Sequence, residues 1–226
     1  MGPDMLAGAP NLKVVGRAGV GVDNIDLDAA TERGIAVLNA PEGNTVSAAE
    51  LTLALMLSVV RRVPGADASV RRGEWDRGRF KGAELRGRTL GLVGAGRVGR
   101  EVAQRCRAFG MRVEVHDPYL TDERAKELRA DRADLGAVLE SADVLSLHVP
   151  LTDDTRGMIN QESISRMKKS AFIVNVSRGE VIDEEALAVA LNEGRIAGAA
   201  LDVYANEPLE DDSPLRGAPG VVLTPS

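Results

Sequence analysis

The chain of 226 residues has one cysteine and two histidines, which is few for its length. The one cysteine, Cys106, has no partner for an internal disulfide; a reducing cytosol is the simplest setting, so we expect a cytoplasmic protein. The cysteine and the histidines are far apart in the sequence and have no metal-ligand spacing. We therefore predict no metal site and interpret Cys106 as a small apolar residue of a helix.

Basic runs and long hydrophobic runs are also missing. The formal charge of −6 and the pI near 5.1 argue against nucleic acid as a partner. The longest apolar segment, Ala48–Val60, is too short to span a bilayer and contains Thr52 and Ser58. No charged region followed by an apolar stretch opens the chain, so we predict no signal peptide and no membrane partner.

What the sequence does contain is a regular alternation of strands and helices. This alternation favours an α/β fold with a doubly wound parallel sheet. The predicted strands are Leu12–Val15, Ile35–Asn39, Thr89–Val93, Met111–His116, Val144–Val149, Phe172–Val176, Ala197–Val203 and Val221–Thr224. The predicted helices are Leu27–Arg33, Ser47–Val60, Arg97–Phe109, Asp122–Leu128, Leu135–Ser141, Ser163–Lys168 and Asp183–Asn192.

Several local features refine this assignment. Ser47 and Glu50 have the spacing of a capping box at the start of the long helix. Asp183 is predicted to cap its helix, which Gly194 closes. We expect Met1–Ala9 to be disordered and residues 205–220 to be irregular. Residues 64–88 are interpreted as a connecting region in which two aromatic residues, Trp75 and Phe80, pin a loop to the body.

A three-glycine turn joins the strand Thr89–Val93 to the following helix. Gly94 is suited to turn angles that a Cβ would penalise, Gly96 allows close approach to a ligand, and Gly99 allows the helix to pack closely. The helix begins at Arg97 and Val98, and its free N–H groups favour a pyrophosphate. Asp117, at the end of the next strand, is placed to bind a ribose. The turn predicts dinucleotide binding; a glycine turn that only connects two elements is the alternative.

Other polar residues follow the carboxyl ends of predicted strands, where ligands bind in such sheets. Arg178 offers a planar fork of donors that matches a carboxylate, although a surface ion pair with Glu180 or Glu184 is the alternative. Glu207 is interpreted as the acid that orients a histidine, against the alternative of a solvated loop acid. The further strand-end candidates are Arg17, Gly19, Gly21, His148, Pro150 and Asp202.

Six motifs taken together resemble the D-isomer-specific 2-hydroxyacid dehydrogenases. They are Gly16–Asp26, Asn39–Asn44, the glycine turn with Asp117-Pro118, His148–Thr152, Asn175–Gly179 and Ala200–Tyr204 with Glu207-Pro208. The resemblance extends from about Leu12 to Pro225. Within the family, the run Gly16–Asp26 is most similar to members that oxidise 3-phosphoglycerate to 3-phosphohydroxypyruvate in serine synthesis.

This resemblance implies an organisation for the chain. Residues 1–40 would be a remnant of a flavodoxin-like substrate domain, and residues 41–226 would be a Rossmann NAD-binding domain. The helix 47–60 would form a homodimer or a higher homo-oligomer. The implied cofactor is NAD, and the implied partner is a small 2-hydroxy or 2-keto acid. Because Asp117 would repel a 2′-phosphate and no arginine adjoins it, we expect NAD rather than NADP.

The resemblance also assigns roles to single residues. Arg178 would bind the carboxylate and carbonyl oxygen of the substrate, and Glu207 would pair with a catalytic histidine. The cofactor would contact Gly94, Gly96, Arg97, Val98, Gly99, Asp117, His148, Pro150 and Asp202. The charged end of the substrate would meet Arg17, Gly19, Gly21 and Asn44.

One position departs from the family pattern. The catalytic histidine should follow Thr224-Pro225, where this chain has Ser226. We therefore expect a chain truncated at both ends, which binds cofactor with little or no turnover. Two alternatives share the motifs: another family enzyme, such as a glyoxylate or hydroxypyruvate reductase or a D-lactate dehydrogenase, and a non-catalytic NAD-binding dimeric sensor.

Overall fold

The computed structural model describes residues 1–22, 24–40 and 43–226. Asp23, Pro41 and Glu42, which belong to two of the motifs above, lie outside the described residues. Internal contacts divide the chain into two compact units, Met1–Ser47 and Ala48–Ser226. The sequence had placed the boundary between residues 40 and 41.

The first unit is one parallel strand pair with two short helices. Its elements are α1 (Pro3–Ala7), β1 (Val14–Arg17), α2 (Leu27–Glu32) and β2 (Ala36–Asn39), with β1 pairing β2. The expectation that Met1–Ala9 is disordered was wrong. Pro3 suits the first turn of a helix, and Leu6 is fully buried in a small core with Val15 and Ile35. A helix of five residues is not stable in isolation, so the burial of Leu6 stabilises it.

Two helices follow, α3 (Thr45–Val60) and α4 (Val63–Arg71). The capping box at Ser47 was wrong, because α3 already begins at Thr45 and Ser47 lies inside its first turn. Helix α4 was also missed: residues 64–88 were interpreted as a connecting region, although Pro64 fits the first turn of a helix. Trp75 does not pin the loop, since it is 75% exposed.

The second unit is built around seven parallel strands. The strands are β3 (Thr89–Val93), β4 (Arg112–His116), β5 (Asp131–Arg132), β6 (Val144–Leu147), β7 (Phe172–Asn175), β8 (Gly198–Leu201) and β9 (Val221–Leu223). Their order across the sheet is β5-β4-β3-β6-β7-β8-β9, with every neighbouring pair parallel. The predicted doubly wound parallel sheet is confirmed.

Helices cover both faces of this sheet. They are α5 (Arg97–Ala108), α6 (Asp122–Leu128), α7 (Leu135–Ser141), α8 (Gln161–Ser165) and α9 (Glu184–Asn192), with 3₁₀ helices at Gly179–Val181 and Pro214–Gly217. The two core layers divide along β3: Leu90 and Leu92 face one layer, and Val93 faces the other. The 3₁₀ helix at Pro214 lies in a stretch that was expected to be irregular.

The described parts of the chain contain no helix long and apolar enough to cross a membrane. Within the same residues, no group of histidine, cysteine and acidic side chains is arranged to hold a metal ion. Cys106 is fully buried on α5, with its Sγ 3.9 Å from Sδ of Met56, and burial raises the pKa of its thiol to about 12. Its interpretation as an apolar helix residue is confirmed.

Candidate nucleotide-binding edge

The three glycines of the motif differ in what surrounds them: Gly94 and Gly96 lie between β3 and α5, and Gly99 lies in the first turn of α5. Gly94 has a φ of 92°, and a Cβ there would lie 2.8 Å from the carbonyl carbon of His148. A Cβ on Gly99 would overlap the carbonyl oxygen of Gly94. A Cβ on Gly96 would meet nothing within 4 Å. The turn is therefore tightly packed on its protein side and leaves open space above Gly96.

Hydrogen bonds from the turn to the carboxyl end of β4 hold it in place. The N–H of Gly94 donates to the carbonyl of His116 (2.9 Å), and the N–H of Ala95 donates to Oδ2 of Asp117 (2.7 Å). Oδ1 of Asp117 accepts the N–H of Tyr119 (2.8 Å). The carboxylate of Asp117 is thus oriented before any ligand arrives, and each oxygen retains lone pairs for further donors.

The first two residues of α5 differ in their exposure to solvent. Arg97 is exposed, whereas Val98 is partly buried against the core. Nε of Arg100 donates to the carbonyl of Ala95 (2.9 Å), which ties the helix back to the turn. The sequence did not single out Arg100, since its role depends on a carbonyl that the turn geometry aims at it.

His148 follows β6 beside the glycine turn. Its Nε2 forms a hydrogen bond of 2.8 Å with the hydroxyl of the fully buried Ser146. Burial lowers the pKa of the His148 ring to about 4, so the ring is neutral at physiological pH. Pro150 is exposed, and its carbonyl accepts the hydroxyl of Thr155 (2.7 Å).

The loop after β7 carries Arg178. Asn175, which is 1% exposed, accepts the N–H and the hydroxyl of Ser177 (3.0 and 2.8 Å) through Oδ1. Its Nδ2 donates to the carbonyl of Arg178 (2.8 Å), and Arg178 donates from NH1 to the carbonyl of Ser177 (2.7 Å). Asn175 therefore fixes the backbone that presents the guanidinium. The sequence had placed Asn175 at the strand end without giving it this role.

The ends of β8 and β9 are joined through Asp202 and Tyr204. The hydroxyl of Thr224 donates to Oδ1 of Asp202 (2.6 Å), and the hydroxyl of Tyr204 donates to the carbonyl of Thr224 (2.9 Å). Burial, together with the charge of Glu207, raises the pKa of the Asp202 carboxyl, while the hydrogen bond from Thr224 acts in the opposite direction.

Glu207 is an exposed residue with a structural partner. Its Oε1 accepts the N–H of Tyr204 (3.1 Å), so this loop acid closes its own turn. This contact was not predicted from the sequence. Among the described residues, the second carboxylate oxygen accepts no hydrogen bond, which leaves it available for a further partner such as a histidine.

In the first unit, the loop after β1 is held internally. Nε of Arg17 donates to the carbonyl of Gly21 (3.1 Å), and Nδ2 of Asn39 donates to the carbonyl of Val20 (2.8 Å). The N–H of Gly19 donates to the carbonyl of Arg17 (2.9 Å), so this amide is engaged within the loop. Asn44 is exposed just before α3.

The second unit thus has the parts that a dinucleotide requires. A helix N-terminus of positive polarity meets open space over Gly96, where a side chain would otherwise fill the position of a pyrophosphate. An oriented carboxylate, Asp117, lies at the end of the adjacent strand. The fold and this edge define a dinucleotide-binding domain of the Rossmann type.

Comparison with known proteins identifies the family. Residues 53–226 match the NAD-binding domain of the D-isomer specific 2-hydroxyacid dehydrogenases. The D-3-phosphoglycerate dehydrogenases of Archaeoglobus fulgidus and Methanocaldococcus jannaschii are 50% and 52% identical over 222 and 223 residues. These matches cover 98% of this chain and 42% of each relative, so the chain spans about two fifths of their length.

A solved structure gives the same result. The D-lactate dehydrogenase of Aquifex aeolicus, complexed with NAD and lactic acid, has a TM-score of 0.89 and 34% identity, covering all of this chain and 72% of its own. The chain belongs to the D-isomer specific 2-hydroxyacid dehydrogenase family and carries its NAD-binding domain. The predicted cofactor, NAD, is confirmed.

The surroundings of Gly99 and Gly96 predict that alanine affects stability at one position and NAD binding at the other. Gly99→Ala should lower the free energy of unfolding by about 1–3 kcal/mol, because its Cβ would overlap the Gly94 carbonyl. Gly96→Ala should fold normally, since its φ is −66°, but should weaken NAD binding by about tenfold or more. Urea unfolding and calorimetric titration with NAD measure the two effects. Normal NAD affinity in Gly96→Ala would contradict the placement of the cofactor.

The neutral ring of His148 predicts a loss of stability in acid. The folded protein binds this proton near pH 4 and the unfolded chain near 6.5, so the free energy of unfolding falls as pH drops through this window. The loss at about pH 5, relative to pH 7, should be about 2 kcal/mol and should shrink in His148→Gln. Urea unfolding at both pH values measures it. His116→Gln is the control, and an equal reduction there would contradict the assignment to His148.

Proposed function

We propose that this chain is the cofactor half of an enzyme that oxidises a D-2-hydroxy acid with NAD, with 3-phosphoglycerate as the substrate and 3-phosphohydroxypyruvate as the product. The observation that carries the proposal is the ordered set of groups along one sheet edge: the open position at Gly96, the carboxylate of Asp117 and the guanidinium of Arg178. The name and the 50% identity of the Archaeoglobus fulgidus relative support the choice of substrate.

Different residues of the chain would bind the substrate and assist the transfer of its proton. The chemistry that bound NAD would supply is that of a hydride acceptor for C2 of the hydroxy acid. Arg178 would hold the substrate carboxylate and carbonyl oxygen by a planar fork of donors. Asp202 would lie near the nicotinamide. Glu207 would orient a histidine that takes the hydroxyl proton and would raise its pKa.

Further contacts follow from the family pattern. The cofactor would contact the turn through Gly94, Arg97, Val98 and Gly99, and His148 and Pro150 would border it. Arg17, Gly21 and Asn44 would bind the charged end of the substrate, with Gly19 contributing its backbone position rather than a free amide.

Ser226 limits what this chain would do alone. A serine hydroxyl does not titrate near neutral pH and cannot act as the general acid–base that the family pattern places there. This observation favours a second candidate function, a non-catalytic NAD-binding sensor. Another 2-hydroxyacid substrate, such as glyoxylate or D-lactate, is the alternative within the family.

We also propose that the protein is cytoplasmic and acts as a homodimer or a higher homo-oligomer through α3. Apolar side chains remain exposed on α4, the next helix in the chain: Val63 and Val70 are 52% and 54% exposed. A second subunit would bury such groups.

A substitution at position 226 tests the catalytic proposal. Ser226→His should raise the rate of NADH-dependent reduction of 3-phosphohydroxypyruvate on the order of 10²–10⁴-fold, because it restores a group that titrates near neutral pH. Ser226→Gln, which adds bulk without a titratable ring, should not. NADH absorbance measures the rate with 3-phosphohydroxypyruvate, glyoxylate and pyruvate. A preference for glyoxylate or pyruvate would contradict the substrate, and NAD binding without turnover of any would favour the sensor.

A substitution at Asp117 tests the choice of NAD over NADP. Asp117→Ala should weaken NAD binding and narrow its advantage over NADP, because it removes the carboxylate that would bind the ribose and repel a 2′-phosphate. Asp117→Asn removes the charge but keeps an oxygen acceptor for the N–H of Ala95. It therefore separates the effect of the charge from the effect of losing the hydrogen bond that holds the turn. Asp122→Ala is the control for charge. Calorimetric titration with both nucleotides measures the affinities, and equal affinities in the unchanged protein would contradict the proposal.

A further inference from the structure

The loop that carries Glu207 and the segment that carries Arg178 touch each other through their backbones. A Cβ on Gly179, the residue after Arg178, would overlap the carbonyl carbon of Tyr204 and the amide nitrogen of Ala205. No side chain can therefore stand between the two segments at this point. The peptide unit that joins Tyr204 to Ala205 lies directly on Gly179.

The same peptide unit is held by a side chain from α9. Oε1 of Glu184, the first residue of α9, accepts the N–H of Ala205 at 2.7 Å. Glu184 is partly buried and lies on the continuous segment that leads from Arg178 through the 3₁₀ helix into α9. A charged acceptor makes a stronger hydrogen bond than a neutral one, so this contact can fix the orientation of the peptide.

Holding a carboxylate at this place has an electrostatic cost. Burial raises the pKa of the Glu184 carboxyl, and the charges of Glu210 and Glu180 raise it further, while the hydrogen bond from Ala205 lowers it. A helix N-terminus favours an acid, but the exposed Glu185 in the same turn already supplies one. The bond to Ala205 distinguishes Glu184 from Glu185.

We propose that Glu184 is a positioning residue, which holds the Glu207 loop against the Arg178 segment and so sets the separation of these two groups. The inference rests on the proposed function, in which Arg178 and Glu207 act on one substrate. Two fixed points would then join the segments: the backbone contact at Gly179 and the hydrogen bond at Ala205. Glu207 would further fix the conformation of this loop, because its carboxylate accepts the N–H of Tyr204.

A set of three substitutions separates the position of the loop from its charge. Glu184→Gln removes the charge and keeps an oxygen acceptor, whereas Glu184→Ala removes both. Glu185→Ala removes an acid from the same helical turn without touching the loop. If Glu184→Ala does not fold, Glu184→Asp replaces it, because its carboxylate is one methylene too short to reach Ala205.

Nuclear magnetic resonance on the full chain provides two readouts. Amide hydrogen exchange at Ala205 should accelerate about tenfold or more in Glu184→Ala, and should stay near the unchanged rate in Glu184→Gln and Glu185→Ala. The Nε resonance of Arg178 and the side-chain carboxyl carbon resonance of Glu207 should move in Glu184→Ala and return towards their normal positions in Glu184→Gln. A purely electrostatic role would move them equally in both variants.

The outcomes distinguish this proposal from the proposed function. Equal behaviour of Glu184→Ala and Glu184→Gln, or unchanged exchange at Ala205, would overturn the positioning role. Titration with NAD is measured on the same samples, as a check on folding and on the cofactor site. If the expected differences appear but the Ser226→His chain turns over no hydroxy acid, the positioning role stands and the proposed catalytic function fails.

Discussion

At Gly94 and at Gly179, along the carboxyl edge of the sheet, main chains touch without an intervening side chain. At Gly94 the turn after β3 lies against the backbone of His148, and at Gly179 the loop after β7 lies against the backbone of Tyr204. The carboxyl ends of the parallel strands all lie at one edge of the sheet, so the loops that follow them are packed closely together. Glycine at both contacts lets the loops pack, and the positions of Asp117, Arg178 and Glu207 depend on that packing.

Electrostatics divide this edge into two regions. Around the glycine turn, the N-terminus of α5 and the oriented carboxylate of Asp117 form a polar cradle for a nucleotide. Three acids, Asp202, Glu184 and Glu207, lie around Tyr204. Burial raises the pKa of the Tyr204 hydroxyl, and the charges of these acids raise it further. A region with such a concentration of acids favours a protonated partner, which is the role the family pattern gives to a histidine next to Glu207.

Much of the fold could be predicted, because most of its elements follow clear local rules. The bounds of β3, α6 and α7 match the expectation, and Asp183 caps α9 by accepting the N–H of Ala186 at 3.0 Å. The errors are short or ambiguous elements. Helix α1 depends on the burial of Leu6, and α4 contains a proline and a glycine that usually interrupt helices. Trp75 is exposed although aromatic residues are commonly buried.

The sequence by itself determined which kinds of groups stand at the strand ends: the three glycines, Asp117, Arg178 and Glu207 are all recognisable from residue type and spacing. Only the tertiary structure decided what holds them. Asn175 beneath Arg178, Arg100 behind the glycine turn and Glu184 on the peptide of Ala205 each act through a backbone group. Backbone carbonyls and amides are the same in every residue, so a sequence does not record which of them a side chain will meet; the packing of distant segments decides it.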